Sequence, residues 1–113
     1  MSQRNAAPLR LAVYGTLAPG RPNHRQLADL RGEWRMGRVR GRLISAGWGA
    51  EMGFPGLALD AQGVEIDVHV FESADLGLHW ARLDAFEGDG YRRVIARVST
   101  AEGERDAFIY VLA

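Results

Sequence analysis

The chain has 113 residues, which fits one domain and leaves no room for two. Hydrophobic residues make up 47% and charged residues 25%, a balance that excludes a disordered chain. Lys plus Arg number 14 and Asp plus Glu number 14, so the net charge is zero and the broad attraction behind non-specific nucleic-acid or acidic-membrane binding is missing. The absence of cysteine excludes disulfides, thiolate catalysis and Cys-based zinc sites, and suits a reducing cytoplasm.

Residues Met1 to Pro8 form a polar leader without the apolar core of a signal peptide, and the domain is expected over residues 9–113. Leu9 to Tyr14 reads as a first strand, which Gly15 ends. Asn23 is placed to cap a short helix reaching Leu30. From Trp34 the pattern is two-periodic and slips by one residue at Gly37, which predicts a β-bulge, with Arg35, Arg38, Arg40 and Arg42 on the other face as a solvated row. Ala46 to Pro55 reads as an irregular loop whose Trp48 and Phe54 should cover a pocket or core. Gly56 to Leu59 and Val64 to Phe71 are strands, and Asp60 to Gly63 between them reads as a hairpin turn. Ser73 and Asp75 start a helix to about Phe86 with Leu76, Trp80, Leu83 and Phe86 as its apolar stripe, and Gly88 stops it. Strands Tyr91 to Ser99 and Arg105 to Leu112 close the chain, the last apolar on both faces. Short hairpins and few crossovers predict an α+β domain whose bent sheet closes into a small barrel with helices outside.

Two segments could carry chemistry. Val13-Tyr14-Gly15-Thr16-Leu17 runs a strand into a glycine turn, where successive main-chain N–H groups can point into one concavity and meet a developing oxyanion. Leu83 to Gly88 sets Glu87 between Phe86 and a glycine, with Tyr91 four positions on. Composition alone reads that second segment as a helix end with solvated acids. The alternative has Asp84 bonding locally to the backbone or to an arginine while Glu87 faces inward. The three scattered histidines, His24, His69 and His79, give no metal-ligand spacing.

In their order, Tyr14-Gly15-Thr16-Leu17, Phe54-Pro55-Gly56-Leu57, Leu83-Asp84-Ala85-Phe86-Glu87-Gly88 and Tyr91-Arg92-Arg93 resemble the γ-glutamylcyclotransferase-like family, most of all its γ-glutamylamine cyclotransferase branch. Gly20, Asn23 and the closing Ala107-Phe108-Ile109-Tyr110-Val111 strand support the resemblance, which spans Leu9 to Leu112. It implies a small mixed β-barrel with flanking helices. It also implies a cofactor-independent, metal-free reaction that releases 5-oxoproline and a free amine from a γ-glutamyl amine or peptide. Carried over to this chain, Glu87 is the catalytic carboxylate, Tyr14, Gly15, Thr16 and Leu17 bind substrate, and Tyr91 lines the pocket. Arg92 and Arg93 could meet the substrate carboxylate, although strand arginines are ordinarily solvated or paired. The rival reading is a domain of the same fold that binds a small ligand without turning it over. The expected partner is a small-molecule γ-glutamyl substrate, with neither nucleic acid nor membrane, on a monomer or weak homodimer.

Overall fold

Residues 37, 39 and 41 of the second strand are Gly, Val and Gly, all buried, while Arg38, Arg40 and Arg42 between them are exposed. Such alternation places one face of a strand in a core and the other in water. The computed structural model, which describes residues 9–15, 17, 19–21, 24–44 and 56–113, builds a barrel around that inward face. Its strands are β1 (Arg10–Val13), β2 (Glu33–Ile44), β3 (Gly56–Leu59), β4 (Val64–Glu72), β5 (Tyr91–Thr100) and β6 (Gly103–Leu112). The hydrogen-bonded order is β3-β2-β4-β1-β6-β5, and a further β2–β5 pairing closes the five strands β2, β4, β1, β6 and β5 into a ring, with β3 added on β2. The β1–β6 pair is parallel and the other pairs are antiparallel, which makes the barrel mixed, as expected.

Ala12, Val39, Leu57, Ile66, Val68, Val70, Ala96, Val98, Ala107, Ile109 and Val111 fill the interior. The alternate residues of β1 and β6 point outward, where Leu11, Val13 and Tyr110 pack with Leu17, Leu27, Phe71, Leu76, Trp80 and Leu83 beneath the helices. The central strands are therefore covered on both sides, and β1 is buried along its whole length.

The expected bulge at Gly37 is absent. Glu33 to Gly41 pairs residue for residue with Glu72 to Val64, so the register never slips. Gly37 instead marks the closure of the barrel: it pairs with Thr100, and a Cβ there would lie 2.6 Å from Val98 Cγ1 and 3.1 Å from the Ser99 carbonyl oxygen. Without the slip, Arg35 falls on the face of Gly37 and Val39, not with the other three arginines, and it is half-buried with its guanidinium 3.1 Å from Glu102. Arg38, Arg40 and Arg42 form the outer row, paired with Asp67, Glu65 and Asp60.

Two connections also differ from expectation. Asp60 to Gly63 is a turn, with the Gly63 N–H donating to the Asp60 carbonyl at 2.8 Å, but β3 and β4 do not pair with each other; both pair with β2, Gly41 facing Leu59 and Val64 alike. The expected single helix after Ser73 is two pieces, a 3₁₀ turn (Ala74–Leu78) and α2 (Trp80–Glu87), joined at His79 with φ −122° and ψ 0°. Ser73 caps the first piece by accepting the Asp75 N–H at 3.0 Å. Leu76, Trp80 and Leu83 are buried as the stripe requires, because the tighter turn rotates the chain without lifting it from the sheet. The early helix, α1, spans only Arg25–Ala28. The last hairpin is tighter than read, with Thr100 paired to Gly103 across Ala101 and Glu102. The polar leader, the Asn23 cap and the Ala46–Pro55 loop lie outside the described residues. No described helix is long and apolar enough to cross a membrane.

Closure at the β2–β5 seam makes Gly37 intolerant of a side chain. Gly37→Ala should cost about 1–3 kcal/mol through overpacking. Gly77→Ala, whose Cβ meets no atom within 4 Å, should leave stability unchanged or raise it by up to about 1 kcal/mol. Urea unfolding midpoints of the two variants provide the comparison.

Candidate functional site

Tyr14 follows β1 directly and turns its ring toward the interior cluster. Its hydroxyl donates to the Tyr110 carbonyl at 2.7 Å and accepts the Leu57 N–H at 3.1 Å. That phenol therefore ties the first motif to the start of β3, where the middle motif ends, and to the closing strand. The neighbouring turn is secured from the other side: His24 Nδ1 lies 3.1 Å from the Leu17 carbonyl. A carbonyl only accepts, so the imidazole carries a proton on Nδ1. The same ring packs on Trp34 at 5.4 Å between centroids. Leu17 is buried in the outer cluster. Thr16 lies outside the described residues.

Glu87 is the last residue of α2, and Gly88 stops the helix with φ +81°, a conformation glycine adopts without strain. Glu87 is only 8% exposed. Burial pushes its carboxyl up to about 7, because removal from water penalises the charged form. Its charge reaches Tyr14 and Tyr110, whose hydroxyls are both raised well above the usual phenol range, chiefly by their own burial. Tyr91, half-buried at the start of β5, also acts electrostatically on Tyr14. Glu87, Tyr14 and Tyr91, three residues expected in one site, thus share one electrostatic neighbourhood.

Among the described residues, nothing requires a glycine at position 15. Its φ lies outside the left-handed region, and a Cβ there would meet no atom of the described residues within 4 Å.

Asp84, one helical turn before Glu87, behaves oppositely. Arg93 grips it through Nε at 2.8 Å and Nη2 at 3.1 Å, and the Tyr110 hydroxyl donates to it at 2.6 Å. The Arg93 hydrogen bond holds its carboxyl below the usual range. The expectation that Asp84 bonds to an arginine is thereby met, and Arg93 is committed to Asp84, not to the substrate carboxylate considered for it. Arg92 is exposed. Tyr110 was not read as part of the site. A phenol in a strand apolar on both faces was the available signal, since a buried hydroxyl needs a partner.

Clefts of about 500 and 380 Å³ lie along the β2–β5 seam, flanking Arg38, and none of the expected site residues lines them. Among the described residues, no three His, Asp or Glu side chains group as metal ligands.

The family described as γ-glutamyl cyclotransferase, AIG2-like, matches residues 11–113. No curated protein matches the chain. Among solved structures, an AIG2-like protein from Mus musculus is 28% identical with a TM-score of 0.74, the match covering 93% of this chain and 77% of that one. YkqA from Bacillus subtilis is 31% identical with a TM-score of 0.72 over 91% of this chain, which spans only 35% of the Bacillus protein. The uncharacterized protein PH0828 from Pyrococcus horikoshii is 26% identical with a TM-score of 0.62, covering 92% and 77% of the two chains.

The burial of Glu87 carries a measurable cost. In the folded protein the group keeps its proton up to about pH 7, whereas in the unfolded chain it releases it near 4.5. The folded state therefore binds more protons across that window, and stability falls as pH rises from about 4.5 through 7. The loss is about 3 kcal/mol on the alkaline side. Glu87→Gln should abolish it, so that the variant gains on the wild type by up to about 3 kcal/mol at pH 8 and by little at pH 4.5, as read by denaturant unfolding at the two pH values.

Proposed function

Because this chain belongs to the AIG2-like γ-glutamyl cyclotransferase family, we propose that it closes the γ-glutamyl group of a γ-glutamyl amine or peptide onto its own α-amine. The products are 5-oxoproline and the free amine. The observation that carries this reading is the sheltered carboxyl of Glu87, with an ionisation near neutrality, beside Tyr14 at the end of β1.

The chemistry asks little covalent work of the protein. The α-amino nitrogen attacks the γ-carbonyl carbon, a C–N bond forms, and the carbonyl π electrons move to oxygen. When the tetrahedral centre collapses, the bond to the leaving amine breaks. Ionised Glu87 takes the proton from the attacking nitrogen and returns it to the departing one, so one group serves as base and then as acid. A carboxylate with an ionisation near 7 suits both tasks better than one at 4.5, being partly ionised and still basic at neutral pH. Holding the glutamyl chain curled supplies much of the rest, since well-oriented intramolecular attack reaches effective molarities on the order of 10⁵–10⁸ M.

The oxyanion draws on the main-chain N–H groups that follow Tyr14, and one such donor is typically worth about 10²–10³ in rate. The lack of a side chain at Gly15 supports this assignment, because it lets a carbonyl approach the backbone closely. In this reading Tyr91, the first residue of β5, serves as a pocket residue near Glu87. The leaving group is an amine or a peptide, with γ-glutamyl amines the first class to test.

Incubation with a panel of γ-glutamyl amines and dipeptides should release 5-oxoproline. Below pH 7 kcat/KM should rise about tenfold per pH unit and level off above a midpoint near 7, as the Glu87 carboxyl ionises. Glu87→Gln should lower kcat by about 10²–10⁴ and erase that limb. Equal activity of Glu87→Gln and wild type would refute the assignment. Thermal stabilisation by a γ-glutamyl compound without product would instead favour a binding domain.

A further inference from the structure

Asp84 takes no part in the proton transfers above, yet its carboxylate is bound more elaborately than a helix-surface acid requires. Arg93 meets both of its oxygens, at 2.8 and 3.1 Å. That arginine is no mobile surface cation: its guanidinium carbon sits 4.6 Å from the Trp80 ring centre and 4.4 Å from that of Phe108. Tyr110 supplies the other contact, its hydroxyl 2.6 Å from Asp84 Oδ1, while its carbonyl accepts the Tyr14 hydroxyl at 2.7 Å. A single residue of β6 therefore holds the last turn of α2 with its side chain and the end of β1 with its backbone.

The last turn needs such a hold. α2 has eight residues, Glu87 is the final one, and helix ends fray. A carboxylate kept from water pulls its segment toward solvent, since unwinding half a turn would hydrate it. Trp80 and Leu83 anchor the first turn by burial, and Asp84 is the polar anchor of the second.

We propose that Asp84 is a positioning residue that seats Glu87 against Tyr14, by locking the end of α2 onto Tyr110 and Arg93. The catalytic consequence rests on the cyclotransferase reading; the seating itself does not. Asp84 touches no reacting atom and acts only through where it leaves Glu87.

The test follows the Glu87 carboxyl by ¹³C NMR across pH in the wild type, Asp84→Asn and Tyr110→Phe, with amide spectra to establish that each is folded. Tyr110→Phe removes only the hydroxyl and keeps the ring and the carbonyl, so it decides the matter if Asp84→Asn fails to fold. The wild-type midpoint should lie near 7 and fall toward 4.5 in both variants as Glu87 gains access to water. On a substrate that yields 5-oxoproline, kcat should fall about 10- to 100-fold with KM changed by less than about threefold. Adding Asp84→Asn to Glu87→Gln should lower kcat little further. Folded variants with the Glu87 midpoint unmoved would overturn the proposal and leave Asp84 a packing contact. If the wild type makes no 5-oxoproline while the midpoint still falls, the seating of Glu87 stands and the cyclotransferase reading fails.

Discussion

One phenol oxygen holds the site together. The Tyr14 hydroxyl lies between the Leu57 N–H and the Tyr110 carbonyl, so the end of β1, the start of β3 and the last residues of β6 are fixed to a common point. Its donor and acceptor capacities are both used, and the hydroxyl is held neutral far beyond physiological pH. A neutral, doubly bonded phenol keeps its place whatever happens to neighbouring charges. The acid opposite can therefore change its protonation state without the surrounding strands having to rearrange.

The two carboxylates of α2 show how one short helix makes different chemistry from similar residues. Asp84 and Glu87 are three positions apart, yet one is drawn down by a bidentate arginine and the other pushed up by burial. Environments that drive two acids in opposite directions are a usual mark of divided roles, one structural and one reactive. Arg93 would neutralise Glu87 if it reached it; committed to Asp84 and held against the Trp80 and Phe108 rings, it leaves Glu87 reactive. A site of this kind is carried at a cost in stability, and the doubly covered central strands offset it.

Much of this was legible in the sequence. Local patterns identified every strand to within a few residues, the Ser73 cap and the Gly88 stop, an arginine was one of the two partners weighed for Asp84, and the motif order pointed to the family. Two of the misreadings share a cause: each depended on what lies across the sheet. At Gly37 an interruption in alternation was taken for an extra residue, when β5 crosses too closely there for a side chain. At Asp60–Gly63 two adjacent strands suggested a hairpin, although each finds its partner in β2. Continuous helical spacing from Leu76 to Phe86 hid the break at His79, because a 3₁₀ turn preserves the buried stripe. Tyr110 went unnoticed as a site residue because its importance comes from Tyr14, 96 positions earlier.

That separation has a bearing on how the protein is made. β1 lies between β4 and β6, parallel to β6, with Leu11 opposite Phe108. A chain emerging from the ribosome can form the β2–β4 ladder early, but β1 must wait with one flank unfilled until β6 has been synthesised. The Tyr14 hydroxyl has no carbonyl to meet before then, and Asp84 has no phenol. The reactive acid thus acquires its final surroundings only once β6 has joined β1.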